Sequence, residues 1–121
     1  MSMLILPEGV ARQDGSGAEV ALEDNRGKPL LLTLGITRIM EQESLEVSVW
    51  GSSDRRNWRK IQVFPQKFYC GTYSLLLDLT RFPELCYVRA QWKMNRWARG
   101  DAPLFGFYLQ AEKPKLHAVG A

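Results

Sequence analysis

Residues Cys86–Met94, CYVRAQWKM, alternate strictly between apolar and polar side chains. Cys86, Val88, Ala90, Trp92 and Met94 fall on one side, and Tyr87, Arg89, Gln91 and Lys93 on the other. Successive side chains of an extended chain point to opposite faces, so this stretch predicts a strand with one face buried and one wet. A helix needs its apolar residues three and four apart, and the chain sustains that spacing nowhere beyond about two turns.

The same period of two recurs on both sides of this stretch. Upstream, Leu45, Val47 and Val49 alternate with Glu46, Ser48 and Trp50. Gly51–Asn57 is polar and turn-like, and Trp58–Phe64 then reads as the returning strand of a hairpin. Pro65–Thr72 reads as irregular, Tyr73–Leu79 as extended, and Arg81–Glu84 as a turn around Pro83. Earlier still, Ala18, Val20 and Leu22 alternate, and Asp24–Pro29 (DNRGKP) is a turn because Asn and Gly tolerate positive φ. Leu30–Met40 is a long strand with Leu30, Leu32, Leu34 and Ile36 on one face, and Glu41–Ser44 reverses the chain. Downstream, Asn95–Pro103 (NRWARGDAP) is a loop, and Phe105, Phe107, Leu109 and Ala111 mark a last strand. These segments predict an all-β chain, an antiparallel β-sandwich of jelly-roll type with about seven to eight strands. The expected organisation is a single domain over residues 1–112 and a flexible tail over 113–121.

Composition agrees with a packed, water-facing domain. The chain has 121 residues, 45% of them apolar and 24% charged, with a net charge of +3. No apolar stretch approaches the roughly 18 residues of a membrane span. Met1–Leu6 is apolar but short, lacks a basic start and runs into Pro7-Glu8-Gly9, so no signal peptide is expected and the location reads as cytoplasmic. Cys70 and Cys86 form no CxxC pattern and are expected to be reduced, half-buried thiols.

The groups that catalysis usually needs are missing. His117 is the only histidine and lies in the expected tail, which argues against a His-based triad or a multi-His metal site. No nucleophile elbow, phosphate-binding loop or dinucleotide fingerprint is present. The carboxylates fall mostly on turns (Asp14, Asp24, Asp54, Glu84, Asp101) or outward strand positions (Glu19, Glu46), where solvated surface is the simpler reading. The chain therefore reads as a non-enzyme, and no cofactor is expected.

Aromatic and basic residues carry what recognition signal there is. Trp92 lies on the apolar side of its strand and reads as core, and Trp58 reads as a plug at the end of the sandwich. Trp50 is out of phase with Val47 and Val49, and Trp97 sits in a loop between Arg96 and Arg99. Plain packing is the other reading of each. Basic residues form two groups: Arg55, Arg56, Arg59 and Lys60 around one loop, and Arg89, Lys93, Arg96 and Arg99 running into another. With Trp97 among them, the second group could hold a carboxylate or phosphate while an aromatic stacks, and Asp101 could pair with Arg99 and shape the loop.

The run LEVSVWGSSDRRNW (Leu45–Trp58), preceded by PLLLTLGI (Pro29–Ile36) and followed by Tyr87-Val88-Arg89, resembles the central hairpin of discoidin-like, galactose-binding-fold domains. The resemblance covers residues 30–92. It implies a β-sandwich that binds glycans, lipids or proteins through loops at one end. The chain is shorter than that family's usual domain and lacks its terminal disulfide.

The leading expectation is a non-catalytic recognition or assembly module that holds a protein partner on an aromatic-basic surface. Its candidate residues are Trp50, Arg89, Lys93, Arg96, Trp97, Arg99 and Asp101. A carbohydrate-binding module of the discoidin-like type is the alternative. Nucleic acid is not the expected partner, because +3 spread along the chain makes no electrostatic footprint.

Overall fold

A computed structural model describes residues 2–40, 43–96 and 103–114. Among them the chain forms nine strands: β1 (Ser2–Ala11), β2 (Gly15–Ser16), β3 (Val20–Ala21), β4 (Pro29–Ile39), β5 (Glu43–Ser52), β6 (Arg59–Lys67), β7 (Gly71–Asp78), β8 (Tyr87–Arg96) and β9 (Phe105–Glu112). Single turns of 3-10 helix follow β3 at Glu23–Asn25 and β7 at Leu79–Arg81. The strands pair antiparallel in two sheets. One runs β1-β9-β4-β7, and the other runs β2-β8-β5-β6 with β3 also pairing β8.

Alternation decides what lies between the sheets. Leu30, Leu32, Leu34 and Ile36 of β4 and Phe105, Phe107, Leu109 and Ala111 of β9 are buried from one side. Leu45, Val47 and Val49 of β5, Phe64 of β6, and Val88 and Ala90 of β8 are buried from the other. All belong to one apolar cluster, with Trp92 packed on its margin and edge-to-face on Phe107 at 5.5 Å. Each fully buried side chain of this size contributes roughly 1.5–3 kcal/mol.

Several boundaries differ from the sequence expectations, each for a physical reason. Ser2–Ala11 forms a strand that its sequence does not announce, because two register shifts against β9, between Leu4 and Leu6 and between Leu6 and Gly9, break the alternation. Pro65–Thr72 is mostly strand: β6 runs to Lys67 and β7 starts at Gly71. Pro65 sits in β6 at the edge of its sheet, where a missing N–H removes no ladder bond. The expected strand over 18–22 shrinks to Val20–Ala21. Asn95 and Arg96 extend β8 rather than starting a loop. Residues 41–42, 97–102 and most of the expected tail (115–121) lie outside the described residues.

One buried charge organises an end of the sandwich. Glu43 is 2% exposed, and its carboxylate accepts from the backbone N–H of Met40 at 2.7 Å and of Leu104 at 2.9 Å. A carboxylate removed from water needs such donors, and here they tie the start of β5 to the end of β4 and the approach to β9. Among the described residues no helix is long and apolar enough to cross a membrane.

Truncation of Phe64, which is 1% exposed, should show whether the two sheets share one core. Phe64→Ala should lower unfolding stability by about 3–5 kcal/mol in urea titrations. Loss of less than about 1 kcal/mol would mean that β6 packs loosely.

Candidate functional site

Because Leu45, Val47 and Val49 point inward, Glu46, Ser48 and Trp50 must point out of the same strand. On β8 the burial of Val88 and Ala90 likewise sends Arg89, Gln91 and Lys93 outward. Register then sets the pairs: Trp50 lies opposite Arg89, Ser48 opposite Gln91, and Glu46 opposite Lys93. On the other side of β5, Lys60 of β6 pairs with Trp50. The row Lys60, Trp50, Arg89 therefore crosses three adjacent strands on the outer face.

Two aromatic–cation contacts involve the tryptophans of this face. The Lys60 ammonium lies 5.7 Å from the centre of the Trp50 ring, and the Arg89 guanidinium 5.3 Å from that of Trp58. Trp50 Nε1 donates to Ser48 Oγ at 2.9 Å, which fixes the indole against its own strand. Arg89 Nη2 donates to Ser16 Oγ at 2.9 Å, joining the face to β2. Arg89 Nε is buried and has no acceptor among the described residues. Such contacts contribute about 0.5–1 kcal/mol when exposed and more when desolvated.

The loop between β5 and β6 positions this group. Ser52 Oγ accepts from the backbone N–H groups of Asp54 and Arg55. Asp54 Oδ1 accepts from those of Arg56 and Asn57, both at 2.8 Å, and Oδ2 accepts from the Asn57 side-chain amide at 2.8 Å. The backbone N–H of Asn57, followed by that of Arg56, holds the Asp54 carboxyl well below its ordinary pKa of 3.8. Arg55 takes a positive φ of 66° inside this turn and pairs with Glu19 at 2.7 Å while lying 5.3 Å from the Tyr87 ring. Arg59 pairs with Glu84 and lies 4.9 Å from the Phe82 ring. Two of the three arginines of the first basic group, Arg55 and Arg59, are thus engaged within the chain.

Of the residues proposed from sequence, Trp50, Arg89 and Lys93 come together on this face. Arg96 ends β8, with its backbone opposite Glu43. Trp97, Arg99 and Asp101 lie outside the described residues. Trp58 does not plug the core; it sits half-buried beneath the Arg89 guanidinium. Trp58 and Lys60 are the members of the face that sequence reasoning missed. Their position depends on a register shift opposite Val49 and Trp50, which alternation alone does not reveal. Cys70 is exposed rather than half-buried, Cys86 is half-buried, and neither is in a disulfide.

Beside Lys93 and Glu46 the face continues into a polar groove of about 350 Å³, lined also by Asp14, Ser44, Gln66, Met94 and Asn95. Asp14 Oδ1 accepts from the backbone N–H of Met94 at 2.7 Å, and the Gln66 amide donates to Ser44 Oγ at 2.5 Å. Among the described residues no group of three His, Cys, Asp or Glu side chains could hold a metal ion. No protein-family model and no curated protein matches the chain.

The Asp54 turn yields a pH-dependent prediction. A carboxyl whose folded pKa is depressed stabilises the fold above its unfolded value and loses that contribution as pH falls. Asp54→Ala should melt at a lower temperature than the wild type at neutral pH, and the gap should shrink once the pH falls below 3.8. Equal melting temperatures at neutral pH would show that the turn holds without this carboxylate.

Proposed function

We propose that the protein is a non-catalytic recognition module that holds a protein partner on the outer face of the β8-β5-β6 sheet. The observation that carries this reading is the pair of contacts Lys60–Trp50, across β6 and β5, and Arg89–Trp58, between β8 and the residue that leads into β6. Each indole is held by a cation, so the face is ordered before anything binds and less side-chain entropy is lost on docking. Trp and Arg that can be desolvated together are the residue types on which interface affinity concentrates. Lys60 and Lys93 are exposed, and with the Arg89 fork they favour a partner that presents carboxylates.

The fold belongs to the same proposal. Strand partners nest as β1 with β9, β2 and β3 with β8, β4 with β7, and β5 with β6, and this winding supports a jelly roll. It is compatible with the discoidin-like resemblance that LEVSVWGSSDRRNW gives the β5–β6 hairpin. A glycan is the second reading, and the polar groove beside Lys93 favours it. Asp14, Glu46 and Asn95 offer acceptors and donors at close quarters, as a polyol requires.

The wild-type chain, used as bait in its native lysate, should retain a stoichiometric protein that elutes as salt rises. Arg89→Ala should weaken that complex at least about tenfold while the bait stays folded by circular dichroism. Arg89→Lys should restore only part of the affinity, since it keeps the charge without the fork. Retention unaffected by Arg89→Ala would remove this face as the site. A tryptophan-fluorescence response to sugars that Trp50→Ala abolishes would favour the glycan instead.

A further inference from the structure

The connection between β6 and β7, which passes from one sheet to the other, carries the most exposed large aromatic side chain of the described residues, Tyr69, at 75%. It is a firm projection. The Tyr73 hydroxyl donates to the Tyr69 carbonyl oxygen at 2.7 Å, and the Lys67 ammonium lies 4.5 Å from the Tyr73 ring. The turn backbone that presents Tyr69 is thereby fixed to β7.

On the opposite edge of the same sheet lies an apolar cleft of about 170 Å³, lined by Leu6, Pro7, Val10, Trp92 and Phe107. It exists because the register shifts in β1 push Pro7 and Glu8 out of the ladder. Val10 at its mouth is 54% exposed, a large apolar residue in water. A cavity of roughly 150 Å³ with such a lining admits one benzene ring. The cleft continues past Val10 and Trp92 into a groove bordered by Arg12, Gln13 and Asp14, where a phenol hydroxyl would find polar partners.

Projection and cleft stand at the same level of the sandwich. Gly71 pairs with Ile36, Ile36 with Phe107, and Phe107 with Gly9, in one row across all four strands. Charge matches as well: Lys67 stands at the root of the projection, and exposed Glu8 stands in the bulge beside the cleft. We propose that the chain self-associates head to tail, the Tyr69 ring of one copy entering the Leu6–Val10–Trp92–Phe107 cleft of the next. Because the two surfaces differ and sit on opposite edges, the contact is heterologous and propagates until a ring closes or a filament forms. The sheet face around Trp50 and Arg89 takes no part in it, so this inference and the partner reading stand or fall separately.

Sedimentation velocity of the full chain over a wide concentration range tests the proposal. The mean mass should rise with concentration beyond that of a dimer. Tyr69→Ser and Val10→Glu should each sediment as monomers, and both sites are exposed enough for the fold to survive, which circular dichroism checks. Mixing the two variants should give a one-to-one heterodimer that grows no further, since only one intact projection and one intact cleft remain. A wild-type chain that stays monomeric overturns the proposal, as does a species that stops at a symmetric dimer. Association lost in Val10→Glu but kept in Tyr69→Ser would also overturn it, showing that the cleft takes another occupant.

Discussion

Burial of Leu45, Val47 and Val49 on β5 is the constraint from which the outer face follows. These side chains complete one apolar cluster with β4, β8 and β9, and none of them reaches water. A slip of one residue would bring Trp50, Ser48 and Glu46 inward and leave the valines and leucine in solvent. The loss, at roughly 1.5–3 kcal/mol per side chain, approaches the whole stability of a small domain. With this phase held, β8 pairs so that Val88 and Ala90 also face inward, which sends Arg89 outward, and the register sets it opposite Trp50. The arrangement of the candidate surface is a consequence of core packing.

Charge on that surface is managed by contact with aromatic rings as much as by ion pairs. Arg55 and Arg59 are each matched by a carboxylate, Glu19 and Glu84. Exposed pairs of this kind contribute little to stability, and their effect here is to hold loop geometry. Lys60 and Arg89 lie instead on indoles, which keep the cations desolvated on one side and poised on the other. Arg89 adds a bond to Ser16, linking the two-residue strand β2 to the central part of its sheet. A single guanidinium thus joins an edge, a hairpin loop and the middle of the face.

Departures from regular pairing define the remaining surfaces. The shifts in β1 open a cleft beside Trp92, whose indole N–H donates to the Gln13 carbonyl oxygen at 2.9 Å. Pro7 and the irregular register also make β1 a poor template for adding another strand, which leaves side-chain docking as the mode open to this edge. At one end of the sandwich, Glu43 serves three segments with one carboxylate. Its position inside the alternation of β5 is unusual for a charged residue. Donation from two backbone N–H groups accounts for its presence there.

By itself, the sequence determined the strands whose alternation is unbroken. Leu30–Ile36, Leu45–Trp50, Val88–Lys93 and Phe105–Ala111 announce both their extended form and their inward face, because pleating maps parity directly onto side. The outward placement of Trp50, Arg89 and Lys93 was legible for the same reason. Tertiary structure decided everything that depends on which strands are neighbours. That Lys60 lies against Trp50 and Arg89 against Trp58 follows from register across a shifted hairpin, and that Arg89 reaches Ser16 follows from a contact 73 residues away in the chain. The strand character of Ser2–Ala11 and the burial of Glu43 were hidden because bulges and backbone donors override local pattern. Local composition records which side of a strand is wet, whereas cross-strand partners are chosen only when the two sheets close on their common core.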